Sequence, residues 1–185
     1  MEFSKEEITQ IAGKEVEGDT VKGNPIYGWV DVVGIPQRPD KLKSNLYLAT
    51  HSEGEGGWSN PFDRRPTAAN VAYDNKGWHL GIESGTETGG SEYLMVRNLD
   101  TFAEKLYKYA RDESNPYVVG VTGSVGKTTT IAFLEHLIRI SGSDVTRFYS
   151  KRLTPLSVMC HYINRVETET PFIVMEYSAY LKDHV

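Results

Sequence analysis

The run Gly120-Val121-Thr122-Gly123-Ser124-Val125-Gly126-Lys127-Thr128-Thr129-Thr130 joins an apolar, β-favouring segment, Tyr117–Thr122, to an amphipathic stretch, Lys127–Ile140. Strand, glycine-bearing turn and helix in that order leave the chain few choices. Gly123 and Gly126 lack the Cβ atoms that would stand between a wrapped backbone and an anion, so successive N–H groups and a helix N-terminus converge on one point. A lysine at the helix start reaches the terminal phosphates of a nucleotide, and the hydroxyl after it is a Mg²⁺ ligand. The pattern predicts that Thr122, Gly123, Ser124, Val125, Gly126, Lys127, Thr128 and Thr129 bind ATP, with Lys127 catalytic and Thr128 on the metal. A generic phosphate loop carries glycine five residues before its Gly-Lys pair; Val121 stands there, so this loop is a variant. A guanine-reading Asn-Lys-x-Asp motif is missing downstream, which favours ATP over GTP.

From Tyr117 the pattern alternates: strands at Tyr117–Thr122, Val145–Tyr149 and Phe172–Tyr177, helices at Lys127–Ile140 and Pro155–Ile163. Such alternation predicts a parallel sheet with crossover helices, the start of a doubly wound phosphate-loop domain. Three strands and two helices leave one sheet edge and much of one face without their usual cover, as in a fragment of a longer protein. In open α/β sheets ligands bind beyond the carboxyl ends of the strands. Glu176, closing the apolar run Pro171–Met175, is therefore a second candidate Mg²⁺ ligand, direct or through water.

The first part of the chain has a different texture. Ser4 is a fitting N-cap, Glu7 completes a capping box, Phe3 and Ile8 occupy the staple positions, and Gly13 is placed to stop the helix. Short β-favouring runs follow at Ile26–Val33, Leu46–Thr50, Trp78–Ile82 and Tyr93–Arg97, which read as a small α+β unit. A second helix is expected from an N-cap at Asp100 to about Arg111, and the polar run Asp112–Pro116 reads as a linker. The domains are accordingly expected at 1–114 and 115–185, a size of 185 residues being right for two small units.

A net charge of −5 argues against nucleic acid as a partner. No apolar run is long enough to span a membrane and no export signal is visible at Met1–Glu7. One cysteine, Cys160, offers neither a disulfide nor a thiolate metal site, which suits a reducing, cytoplasmic setting. Cys160 is expected to pack as a small hydrophobe on the helix after Pro155, and the five histidines lack metal-ligand spacing.

Thr122-Gly123-Ser124-Val125-Gly126-Lys127-Thr128-Thr129, with Glu176 in Met175-Glu176-Tyr177-Ser178-Ala179, resembles the Mur ligases, ATP-dependent amide-bond ligases of cell-wall precursor synthesis. The segments Phe3–Asp19 and Tyr93–Val121 look most similar to the member that adds the terminal dipeptide to the muramyl tripeptide. The Asp-Ser-Arg signature of that family's first domain is not found; the comparable stretch reads Gly34-Ile35-Pro36-Gln37-Arg38-Pro39-Asp40. The resemblance implies that ATP phosphorylates a carboxylate-bearing substrate such as a UDP-muramyl peptide, and that an amine attacks the acyl phosphate. It also implies that the amine-binding domain and later metal ligands lie C-terminal to Val185, leaving this chain inactive alone. The other reading of the residues is a nucleotide-binding regulatory or assembly module. The long stretch His51–Pro66, with Trp58, Arg64 and Arg65, reads as a substrate-facing lip or a surface excursion.

Overall fold

In a computed structural model of the protein, residues 1–31, 44–49, 79–86, 88–148 and 155–177 are described. The stretches 34–40 and 51–66 lie outside them. The chain opens with a two-residue strand, β1 (Phe3–Ser4), that runs directly into helix α1 (Lys5–Ala12). The expected capping box is present: Ser4 Oγ accepts from Glu7 N at 3.2 Å, and Ser4 N donates to Glu7 Oε2 at 2.7 Å. Phe3 and Ile8 are both buried in one core, as a hydrophobic staple requires. Gly13 ends the helix at φ 57°, a backbone conformation that a side chain would strain. Ser4→Ala should lower unfolding stability by about 1 kcal/mol, the usual worth of such a cap, in a urea melt. An unchanged midpoint would mean that water serves the Glu7 amide equally well.

The first sheet contains β1, β2 (Val16–Asp19), β3 (Ile26–Asp31), β4 (Ser44–Ala49), β5 (His79–Ile82) and β6 (Tyr93–Val96), in the order β1-β3-β4-β5-β6-β2. The two edges are antiparallel, but β3, β4, β5 and β6 are mutually parallel, with Val30 opposite Leu46, Leu46 opposite His79 and Leu80 opposite Tyr93. The short strands were expected as an α+β unit; the sheet is mixed, with a parallel centre that the strand runs alone did not announce. Strand runs between turn residues carry no sign of direction, and the β3–β4 and β4–β5 connections run through residues outside those described.

Helix α2 (Leu99–Ser114) is longer than expected at both ends. Its N-cap is Asn98, whose Oδ1 accepts from Thr101 N at 2.9 Å, rather than Asp100. Leu99 is buried with Phe102, Ala103, Leu106 and Ala110, so the apolar face begins before Asp100. At the other end Asp112, Glu113 and Ser114 continue the helix. Ser114 points inward, donating to Ala110 O at 2.6 Å, and left-handed Asn115 (φ 39°) closes the helix through its N–H to Arg111 O. The expected linker thus contracts to Asn115-Pro116.

The second sheet has three strands, β7 (Tyr117–Val121), β8 (Val145–Phe148) and β9 (Phe172–Glu176), in the order β7-β9-β8 and parallel throughout. Helices α3 (Lys127–Ile140) and α4 (Pro155–Arg165) are where the alternation put them, α4 two residues longer. Central β9 is buried on both faces by alternate residues. Val174 joins Ile131 and Val145 under α3, while Ile173 and Met175 join the core that contains Leu156, buried Cys160 and Tyr162 of α4. That second core also holds Phe3, Ile8, Leu46, Leu94, Phe102 and Leu106, so a single apolar interior continues from the first sheet to the second. α4 is the bridge. It packs on both α2 and β3, and the Met1 ammonium donates to Ile163 O and Val166 O, each at 2.7 Å. Among the described residues no helix is long and apolar enough to cross a membrane.

Candidate functional site

Parallel pairing brings the ends of β7 and β9 side by side, Val121 opposite Glu176. The chain leaves β7 at Val121, turns through residues 122–126 and enters α3 at Lys127. Gly123 (φ 149°) and Gly126 (φ 81°) both take conformations that L side chains avoid. A Cβ on Gly126 would meet nothing within 4 Å, and one on Gly123 would meet only ordinary contacts, Val125 O at 3.8 Å and Lys127 Cγ at 4.0 Å. The glycines therefore serve the backbone path and the open space beside it, not crowding within the chain. Gly126 is the N-cap of α3 and supplies no side-chain acceptor, so none of the first-turn amides is capped from that residue. Thr122, Gly123, Ser124, Val125 and Gly126 are all exposed, Val125 at 92%. Thr128 and Thr129 are exposed as well.

The charged groups gather at the loop's inner side. Phe172 and Val174 belong to the face of β9 under α3, and strand alternation sends the Glu176 side chain the same way. Its residue is only 8% exposed. Glu176 Oε2 accepts from Thr128 Oγ1 at 3.3 Å, and Oε1 lies 3.9 Å from Lys127 Nζ. Lys127 Nζ in turn donates to Gly123 O at 2.7 Å, spanning the loop. Two candidate metal ligands and the candidate catalytic ammonium thus meet at one point. A hard cation suits this donor set, since Mg²⁺ commonly takes one or two protein oxygens and fills its remaining positions with phosphate and water.

Gly120, in the same motif, does something else. It lies two residues before the loop, and a Cβ there would come within 2.9 Å of Tyr177 Cε2. Its neighbour Tyr177 was not singled out from sequence, because the contact is made between two strands far apart in the chain. Among the described residues no cluster of three or more His, Cys, Asp or Glu could hold a metal by itself.

No protein-family model matches the chain, and no curated protein does. Solved structures match along nearly its whole length. MurF from Acinetobacter baumannii aligns at 18% identity and a TM-score of 0.66, covering 99% of this chain and 37% of that one. A structure of UDP-N-acetylmuramoylalanyl-D-glutamyl-2,6-diaminopimelate--D-alanyl-D-alanyl ligase from the same organism aligns at 17% identity and 0.64, covering 99% and 38%. The MurF ligase of Thermotoga maritima, solved in complex with ADP, aligns at 20% identity and 0.53, covering 82% and 33%. The likeness at this identity is one of fold. The chain spans about a third of the length of these proteins.

Proposed function

We propose that residues 1–114 form a substrate domain and residues 115–185 the opening part of a phosphate-loop ATP-binding domain in a Mur-type ligase. The observation that carries this reading is the exposed glycine turn at the start of α3, faced by the buried Glu176 carboxylate that Thr128 Oγ1 contacts at 3.3 Å. In this reading the loop amides hold nucleotide phosphate, and Lys127 offsets charge on the phosphoryl group as it moves to a substrate carboxylate. An amine then attacks the acyl phosphate, giving an amide and releasing phosphate, with ADP already formed. Thr128 and Glu176 would hold Mg²⁺, which supplies further charge neutralisation at the phosphates. The carboxylate substrate is a UDP-muramyl peptide or a compound of that class, and the setting is cytoplasmic. The fold likeness to MurF ligases, one of them an ADP complex, supports this assignment.

Two measurements test it. Glu176→Gln keeps the shape but not the charge, so Mg²⁺ should strengthen ADP binding at least about tenfold less than in the wild type. Affinity in EDTA should stay unchanged. Equal metal response in both proteins removes Glu176 from the site. The longest polypeptide that the gene encodes should release ADP only when a carboxylate and an amine are both supplied. ATP turnover indifferent to both would reject the ligase and leave a nucleotide-binding regulatory module.

A further inference from the structure

Tyr177 follows Glu176, and alternation places its ring on the opposite face of β9. Its N–H donates to Val121 O at 2.9 Å, extending the β7–β9 pairing one residue past the carboxylate. The ring closes on Gly120, where a Cβ would stand 2.9 Å from Cε2 and 3.2 Å from Cδ2, too close for any residue but glycine unless the ring shifts. The same side chain packs against the core that α2 and α4 share, as does Tyr107, which meets Tyr162 edge to face at 5.0 Å. The Tyr162 hydroxyl is held in turn by Ser114 Oγ at 3.1 Å.

We infer that Tyr177 is a positioning residue for the metal site: seated between Gly120 and the α2–α4 aromatic group, it fixes the strand end and so aims Glu176 at Thr128 and Lys127. The inference rests on the reading of Glu176 as the Mg²⁺ partner. Groups that orient a metal ligand typically change metal affinity about 10–100-fold when removed. Nucleotide contact through the loop amides does not depend on Tyr177.

The test is ADP affinity of the 185-residue chain, measured with Mg²⁺ and in EDTA, for Tyr177→Ala, Tyr177→Phe, Gly120→Ala and Gly120→Ala/Tyr177→Ala. Tyr177→Ala and Gly120→Ala should each reduce the Mg²⁺ enhancement about tenfold while affinity in EDTA stays within about threefold. Tyr177→Phe should keep the wild-type response, because the ring and not the hydroxyl fills the space. The double variant should be no worse than Tyr177→Ala alone, since the added methyl then has room. Near-UV circular dichroism checks folding; if Tyr177→Ala fails it, Tyr177→Leu takes its place. A full Mg²⁺ response in Tyr177→Ala, alongside a lost response in Glu176→Gln, overturns the positioning role alone. A response that survives Glu176→Gln overturns the reading beneath it.

Discussion

Lys127→Ala should weaken Mg-ATP binding about a hundredfold. The ammonium belongs to a side chain only 18% exposed, held by Gly123 O and within 3.9 Å of Glu176 Oε1, so it is already placed over the turn. Hydrogen bonds to charged groups are worth about 1.5–3 kcal/mol, and each ~1.4 kcal/mol is tenfold in affinity. The upper end of that range applies where one cation serves phosphate oxygens beside a buried carboxylate. Lys127→Arg should restore only part of the affinity, because a planar fork does not replace a compact ammonium inside a tight turn. Isothermal calorimetry reads both. An alanine variant that binds Mg-ATP like the wild type would mean that the loop amides alone hold the nucleotide, or that the nucleotide sits elsewhere.

What could be read from the residues divides by range. The capping box of Ser4 and Glu7, the α3 boundaries and the loop glycines are local: the groups that interact are within a few positions, and their types announce the geometry. Glu176 was reachable too, because a strand-end acid after a phosphate-loop pattern needs only the general placement of ligands in parallel sheets. β1 and β2 were not, since a two-residue and a four-residue strand exist through partners far away, Phe3 with Tyr27 and Val16 with Val96. Ser114 shows the same limit. Its polarity suggested a linker, yet it is 8% exposed because Tyr162, 48 positions on, offers a hydroxyl to it. Tyr177 was hidden for a similar reason, its meaning residing in Gly120 across the sheet. The candidate loop is legible locally, and what supports it is not.

The support is where the largest stability effect is expected. β1 pairs β3 only at Ile26 and Tyr27, and further along the strand the Val30 peptide is completed by a side chain. Asn164, near the end of α4, accepts from Val30 N at 2.6 Å and donates to Val30 O at 2.8 Å, imitating a neighbouring strand. Asn164→Leu removes both bonds and leaves an N–H and a carbonyl partly buried, each costing about 1–3 kcal/mol. A loss of about 3 kcal/mol should lower the melting temperature by roughly 6–12 °C for a chain of this size. Because one apolar core runs through both sheets, melting should remain a single transition. Asn164→Asp sharpens the argument. Its carboxylate would keep the bond from Val30 N but face the Val30 carbonyl with no proton to donate, whereas the protonated acid restores the donor. The bond to Val30 O should therefore be lost at neutral pH and regained in acid. A melt of Asn164→Asp that is lowered at neutral pH, by less than in Asn164→Leu, but recovers in acid, relative to wild type at each pH, identifies the lost donor as the cause. Two separate transitions in the wild type would instead mean that the sheets fold independently and that this amide merely joins them.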